Sequence, residues 1–205
     1  ISQAAAGTTA AGNEYVELYN PTSSTITVHD GTNWLITLRT VTSGNVITCK
    51  NLTVVGSTPK TLKPKSFFLI ASVNPIEGVV PDATYAAVFS NNSGVKIDSD
   101  TVDTSGDTVV PAIDKVAWGN PTGATAAREG TGIVVTLDTG LSVERKANAT
   151  STAATMIYPG ADWNQGNGYD TNDNSNDFVI HTATFVVMQN SSSPMEPPAT
   201  PPAGD

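Results

Sequence analysis

The residues with the clearest chemical potential form an acidic, amide-rich run at positions 170–177. Asp170, Asn172 and Asn174 follow the first, third and fifth spacing of a calcium-binding loop of the EF-hand type. Calcium prefers six to eight oxygen ligands, and alternating carboxylate and amide side chains supply them. The predicted metal ligands are Asp170, Asn172, Asn174 and Asp177.

The match to a calcium loop ends after its fifth position. Ser175 replaces the glycine of the sharp turn, and His181 replaces the bidentate glutamate. The alternative is a structural loop in which short Asp and Asn side chains accept hydrogen bonds from nearby backbone amides. We expect the structural loop, with calcium as the alternative, and no other cofactor.

Catalytic chemistry has little support in the sequence. The two histidines, His29 and His181, lie far apart, and neither has a nucleophile motif nearby. The chain contains no Gly-x-Ser-x-Gly elbow and no His-x-x-x-His metal pair. Members of a triad need not be neighbours in sequence, so these motifs do not exclude a triad assembled in space. We expect that the protein is not an enzyme.

Four Asn-x-Ser/Thr triplets are candidate glycosylation sites. They begin at Asn51, Asn91, Asn148 and Asn190. Such triplets often arise by chance in a chain rich in Asn, Ser and Thr, so their use depends on the organism.

Aromatic side chains are the other candidates for contact with sugars, because an exposed ring offers an apolar face beside polar groups. The candidates are Trp118, Trp163 and Tyr169. The alternative for each of them is a packed position in the core, which is also the position we expect for Trp34.

The composition favours an extracellular or cell-surface β-protein. Of 205 residues, 39% are hydrophobic and only 14% are charged, against about 25% charged in typical soluble proteins. The net charge of −9 repels phosphate backbones and anionic membranes, so we expect no nucleic-acid partner. No apolar run approaches the roughly 20 residues of a membrane span, so we expect no direct membrane insertion.

The single cysteine and the first residues lead to two smaller expectations. Cys49 has no partner for an internal disulfide, and we expect it to be a small buried hydrophobe. The chain begins at Ile1 inside a predicted strand, so we expect a processed chain or a longer precursor.

Period-two alternation predicts the strands that would position these residues. In the stretch 13–19, Val16 and Leu18 share the predicted core face, and the opposite face should meet loops or solvent. Pro21 closes this strand because it cannot donate to a ladder. We expect the strand to be internal to a sheet.

Similar patterns along the chain predict an all-β fold. The run Phe67–Ala71 is apolar throughout, which predicts a strand that is covered on both faces. No amphipathic helix is evident, and the region 74–107 has no clear period. The other predicted strands lie at 1–3, 25–28, 34–38, 113–120, 132–137, 140–146 and 177–180, with a hairpin-like region at 44–55.

The order of these blocks resembles the lamin tail domain, an immunoglobulin-like β-sandwich. The sequence departs from the family pattern at Lys65, where glycine is more usual, and in two long insertions at 72–110 and 121–140. The resemblance covers roughly residues 1–180. The blocks that carry it are 1–3, 13–21, the Trp34 strand, 61–71, 114–120, 141–146 and 170–179.

The resemblance implies an interaction module. Nuclear members of the family belong to filament proteins, and prokaryotic members occur in secreted and cell-surface proteins, sometimes beside hydrolases. It predicts an immunoglobulin-like β-sandwich with long loops and an extended C-terminal segment. The expected domains are the sandwich at 1–182, an extra terminal strand at 183–189 and a Pro/Ser-rich tail at 190–205.

The apolar terminal segment suggests how the protein functions. An extended apolar strand near a sandwich is suited to strand addition on another subunit, although it is equally suited to an edge of its own sheet. The tail either packs along its own sandwich or lies on another subunit. The predicted contact residues between subunits are Phe185, Val186, Val187 and Met188.

The expected function is therefore that of an extracellular structural subunit. It would assemble with copies of itself, as a homo-oligomer or homopolymer, into a filament or surface layer. The alternative is a glycan- or calcium-dependent binding or adhesion module of a larger secreted protein, with a glycan as its partner.

Overall fold

The computed structural model describes residues 1–6, 14–42, 46–72, 78–86, 89–99, 112–119, 127–137, 140–182 and 187–198. Within these residues the chain forms thirteen strands and one single-turn helix, α1 (Asn174–Asp177). The strands are β1 (Gln3–Ala5), β2 (Tyr15–Tyr19), β3 (Ile26–His29), β4 (Thr37–Thr42), β5 (Val46–Lys50), β6 (Leu52–Val54), β7 (Lys60–Leu62), β8 (Phe67–Ala71), β9 (Ala83–Tyr85), β10 (Ser93–Asp98), β11 (Asp114–Trp118), β12 (Leu141–Arg145) and β13 (Phe178–Thr182).

Two sheets enclose the main core, and a short ribbon lies beside them. The larger sheet has seven strands in the order β13-β12-β1-β2-β8-β9-β6, and the smaller has the order β11-β10-β4-β5. The ribbon pairs β3 with β7. Buried side chains from both sheets meet in one cluster, which includes Val16, Ile70, Leu38 and Val116. The prediction of an all-β, immunoglobulin-like sandwich is confirmed in that the fold is all-β and sandwich-like.

The central position predicted for β2 is confirmed. It pairs antiparallel with β1 and β8, so that Val16 faces Ala4 on one side and Ile70 on the other. Val16 and Leu18 are both buried in the main core. The opposite face of β2 is covered too, since Tyr15, Glu17 and Tyr19 are also buried.

Both faces of β8 are covered, as its apolar sequence predicts. Phe68 and Ile70 enter the main core. Leu69 and Ala71 point to the outer face of the larger sheet, where they pack with Met188. A covering segment is therefore required on that outer face.

Residues 187–198, the C-terminal strap, form that covering segment. Ser191 N donates to Asp82 Oδ2 at 3.0 Å, and the Tyr19 hydroxyl donates to the Glu196 carbonyl at 2.6 Å. Glu196 N in turn donates to the Lys65 carbonyl at 2.9 Å. Of the two positions considered for the tail, the described part therefore lies along its own sandwich.

A close approach at Gly166 lets the strap cross the outer face of the larger sheet. Gly166 N donates to the Pro197 carbonyl at 2.8 Å. A Cβ at this position would lie 2.0 Å from the Tyr19 hydroxyl oxygen, so only glycine fits without displacing the ring.

Of the predicted strand 34–38, only residues 37 and 38 belong to a strand, β4. The structure differs more strongly from the predicted strands in three further places. Residues 132–137 make a single parallel bridge, Trp118 with Ile133, instead of a strand. The region 44–55 is not a hairpin, because β5 and β6 belong to different sheets. The third difference is at 74–107, where β9 and β10 were missed.

β10 escaped detection because it buries charged residues. Lys96 and Asp98 are buried in it, and Asp98 Oδ2 accepts from Arg39 Nε at 2.6 Å. A buried ion pair of this kind looks like solvent-facing polarity in the sequence. Cys49 is half-buried and accepts a hydrogen bond from Arg39 Nη1 at 2.8 Å, so it is not a fully buried hydrophobe.

The departure at Lys65 has a backbone explanation. Its φ of 58° lies in the left-handed region, which glycine adopts without steric cost and a lysine does not. The turn between β7 and β8 therefore keeps the conformation for which glycine is suited.

Candidate functional site

The predicted metal loop is tied to the rest of the fold through its amide and carboxylate groups. Asn174 Oδ1 accepts from Ala117 N at 3.2 Å and from Glu129 N at 3.1 Å, while its Nδ2 donates to the Lys115 carbonyl at 3.0 Å. Asn174 thus joins α1 to β11 and to the loop before Ile133.

The other members of the predicted set also serve the backbone. Asp177 Oδ1 accepts from Thr171 N at 3.0 Å, and its Oδ2 accepts from Asp173 N at 3.2 Å. Asp170 Oδ1 accepts from Asn172 N at 3.0 Å. These contacts account for the side chains of Asp170, Asn174 and Asp177 by loop structure alone. Calcium binding here stays a prediction.

A different group of carboxylates converges near Asp170. One ligand oxygen from each of Asp114, Glu129 and Asp170 lies within 4.8 Å of the others. Burial, followed by the charges of Asp114 and Asp170, raises the pKa of Glu129 to about 7. Arg145 Nη2 donates to Asp114 Oδ1 at 2.7 Å, which offsets part of the negative charge. No local sequence pattern predicts this cluster, because its members are distant along the chain.

The two histidines are in separate parts of the fold. His29 Nδ1 accepts from Gly31 N at 3.0 Å, within a turn. His181 Nε2 lies 2.6 Å from Glu144 Oε2, on the outer face of the larger sheet. The structure therefore does not bring the histidines together.

The most distinctive surface feature is a groove between the strap and the loop 148–165. We refer to it as the strap groove; its volume is about 570 Å³. Four of its large apolar side chains are exposed: Val187 by 77%, Tyr158 by 75%, Met195 by 66% and Trp163 by 46%. A cluster of exposed apolar side chains on a protein surface often marks an interaction site.

Only one of the three predicted aromatic candidates lines this groove. Trp118 is fully buried in the main core, and Tyr169 is half-buried. Trp163 is exposed and lies next to Tyr158, with ring centroids 5.2 Å apart and planes at 89°. Tyr158 was missed because nothing in its local sequence separates it from an ordinary loop tyrosine.

Carboxyl groups line the groove, and a further one lies in the sheet beneath the strap. Glu144 and Glu196 line the groove itself. Asn167 Nδ2 donates to Glu144 Oε1 at 2.8 Å, and Gln189 Nε2 donates to Glu196 Oε1 at 2.6 Å. Below the strap, Glu17 Oε2 accepts from Gln189 N at 2.6 Å.

Burial keeps Glu17 and Glu196 protonated at pH values well above the ordinary pKa of a glutamate side chain. Desolvation is the main cause that raises the pKa of Glu17 to about 8, with further contributions from the charges of Glu144 and Glu196. Desolvation, with Glu144 as a further cause, raises the pKa of Glu196 to about 7. The strap therefore covers a glutamate, Glu17, that is protonated at neutral pH.

We predict that Glu17→Gln increases stability at alkaline pH. The folded protein holds a proton on Glu17 between its unfolded pKa of 4.5 and its folded pKa of about 8, so wild-type stability falls as pH rises through that window. Each unit of pKa shift corresponds to about 1.4 kcal/mol. Urea unfolding at pH 8.5 should show a gain on the order of 2 kcal/mol or more, and near pH 4.5 the two proteins should be equal. The same pH dependence in both proteins would contradict this.

The candidate glycosylation sites differ in accessibility. Asn51 is exposed, whereas the other three are only partly so. Asn148 Nδ2 donates to Asp162 Oδ1 at 3.1 Å, and Asn190 Nδ2 donates to the Val80 carbonyl at 2.8 Å. Attachment of a sugar to Asn148 or Asn190 would break these bonds, so Asn51 is the best placed of the four.

The predicted contact residues between subunits divide into three kinds. Phe185 and Val186 lie outside the described residues. Met188 is buried against its own larger sheet, and its contact with another subunit stays a prediction. Val187 is the exposed member, and it lines the strap groove.

No family model, no curated protein and no solved structure matches the chain. Within the described residues, no helix has the length and apolar character that a membrane span needs.

Proposed function

We propose that this protein is a structural subunit that assembles with further copies of itself outside the cell, by strand addition at β13. The observation that carries the proposal is the position of β13 at the end of the seven-stranded sheet. It pairs with β12 on one side, and no described residue pairs with its other side. An open edge of this kind offers unpaired backbone groups to another strand.

β13 lacks several of the features that commonly protect an edge strand. Its sequence, Phe-Val-Ile-His-Thr, contains no proline and no lysine, and it extends over five residues. β6, at the opposite edge of the same sheet, has only three residues. Short edges and edge lysines discourage pairing between molecules, so β13 is the more suitable acceptor.

The strand donated to β13 is the apolar segment 183–187 of a neighbouring copy. Phe185 and Val186 belong to this segment in the sequence, and Val187 at its end is exposed by 77%. The strap from Met188 onward stays on its own sheet. A contact between different surfaces of successive copies produces an open filament when its rotation does not close a ring.

Two further points support an interaction role outside the cell. The low content of charged residues and the Thr, Ser and Asn-rich composition suit an extracellular β-protein. The resemblance of the ordered sequence blocks to the lamin tail domain implies an interaction module.

We predict that Thr182→Lys prevents assembly whereas Thr53→Lys does not. Both threonines are exposed, and they lie on opposite edge strands, β13 and β6. A lysine on β13 places a charge at the edge that must accept the next strand. Electron microscopy and sedimentation of both variants and the wild type measure the effect.

The two variants together distinguish an effect at the β13 edge from a general effect of an added surface lysine. Melting temperatures of the two variants should agree within about 2 °C, because surface substitutions change stability by less than about 0.5 kcal/mol. A wild-type protein that stays monomeric at high concentration would overturn the proposal. Equal assembly by both variants would remove β13 as the acceptor.

A second candidate function, that of a binding module, is favoured by the strap groove. The exposed Trp163 and Tyr158 beside Glu144 provide apolar faces and polar groups in one concave surface. This function needs no contact between copies, so a monomeric protein that retains a ligand would support it instead.

A further inference from the structure

The strap groove combines aromatic walls with carboxyl groups, and this pairing is selective for positive charge. We propose that the groove binds an organic cation that carries an alkylated ammonium group. The rings of Tyr158 and Trp163 would contact this group on one side, and the carboxylates of Glu144 and Glu196 would contact it on the other. The inference concerns the groove and does not require assembly at β13; Val187 is the one residue that the groove shares with the segment donated to β13.

The aromatic pair supplies the first half of the argument. Tyr158 and Trp163 both line the groove, and their ring planes are perpendicular, with centroids 5.2 Å apart. Two perpendicular rings form a corner, in contrast to the flat platform of coplanar rings. A cation within about 6 Å of an aromatic centroid is attracted by the negative face of the ring, and tryptophan is the strongest such partner.

The carboxyl groups supply the second half. Glu144 and Glu196 reach the groove from β12 and from the strap, two parts of the chain that meet only in the folded protein. Among the described groups, Asn167 donates to Glu144 and Gln189 donates to Glu196. The imidazole Nε2 of His181 lies 2.6 Å from Glu144 Oε2. Of these three side chains only His181 can carry a positive charge.

The crowding of acidic groups indicates that a cation would be stabilised here. Glu17 lies below the strap and adds a third carboxyl to the cluster. Burial raises the pKa of Glu196 to about 7, and the charge of Glu144 adds to that effect. A bound cation would favour the ionised carboxylates, so binding releases protons and its affinity increases as pH rises.

The size and charge of the groove exclude some occupants. Its volume of about 570 Å³ falls in the range of small-molecule sites. An anionic ligand would be repelled by the carboxylates and by the net charge of −9. A neutral sugar would use the rings without requiring the charge, and the test below separates it from a cation.

Choline and its uncharged carbon isostere, dimethylbutanol, are the probes for the experiment. They have the same shape, so any difference between them reports the charge. Isothermal titration calorimetry should show that choline binds at least about tenfold more tightly than the isostere, because a desolvated cation–π contact corresponds to such a factor. Choline affinity should be higher at pH 8.5 than at pH 5.5.

Variants connect the binding to the groove. Trp163→Ala should weaken choline binding about tenfold or more, and Glu144→Gln should weaken it while leaving the isostere unaffected. Val134→Ala is the matched control, because Val134 is an exposed apolar residue outside the groove. Since Trp163 is about half exposed, its replacement should not unfold the protein, which a melting curve checks.

Three outcomes would overturn the inference. They are equal affinities for choline and the isostere, absence of choline binding at about 10 mM, and binding that Trp163→Ala does not change. Retention of a neutral glucose oligosaccharide in preference to choline would identify a sugar site instead. The assembly-deficient Thr182→Lys variant should bind choline like the wild type, so failure of one proposal is distinguishable from failure of the other.

Discussion

Val16→Asp is expected to unfold the protein. Val16 is completely buried and lies between Ala4 and Ile70 in the centre of the larger sheet. An aspartate there would place a carboxylate among the apolar side chains of the main core. A buried group without a partner costs several kcal/mol, a large share of the total stability of about 5–15 kcal/mol.

Circular dichroism and thermal unfolding measure this effect, and Val134→Asp is its control. Val134 is exposed by 75%, so the same chemical change should alter stability by less than about 0.5 kcal/mol. A Val16→Asp protein that melts at the wild-type temperature would show that this face of β2 is not core.

Arg145→Met is expected to destabilise the fold by about 3–5 kcal/mol, the usual cost of breaking a buried ion pair. Arg145 is buried, and its Nη2 donates to Asp114 Oδ1 at 2.7 Å. Its Nε donates to the Ile1 carbonyl at 2.9 Å and its Nη1 to the Tyr169 carbonyl at 3.2 Å. The guanidinium also lies 4.6 Å from the ring centroid of Phe178. Methionine fills the space but leaves the acceptors without donors.

Arg145→Lys distinguishes charge from geometry in this network. Lysine keeps the positive charge near Asp114 but cannot reproduce the planar set of donors that reaches Ile1 and Tyr169. Chemical denaturation should therefore give a stability between those of the wild type and Arg145→Met. If Arg145→Met unfolds at the wild-type urea concentration, the network does not stabilise the fold.

Local sequence patterns predict the strands correctly where the burial of side chains follows the order of apolar residues along the strand. Val16 and Leu18 alternate along β2, and β8 is apolar throughout, so the core face of β2 and the burial of β8 on both faces were predictable. The pattern failed in β10, where Lys96 and Asp98 are buried in ionic contacts. It also failed at 132–137, where alternation is present but only one bridge forms.

The candidate site was predictable only in part. Trp163 was identified as an aromatic that could meet a ligand, but Trp118 looked the same in sequence and is buried. Whether a tryptophan is exposed depends on what packs over it, and that depends on segments far away in the chain. Glu144, Tyr158 and Glu196 carry no local motif that predicts their convergence on one groove.

The amino-acid sequence by itself determined that this is an all-β protein, with the core face of β2 and the burial of β8 on both faces, because the order of apolar side chains is a property of a single strand. Only the tertiary structure decided that the strap lies across its own sheet, because Met188 and Glu196 acquire partners from β1, β2, β8 and the turn before β8. The same long-range packing placed Trp163, Glu144 and Glu196 around one groove and left β13 at an edge. Contacts between distant segments depend on the energy of the whole fold, so local periodicity does not specify them.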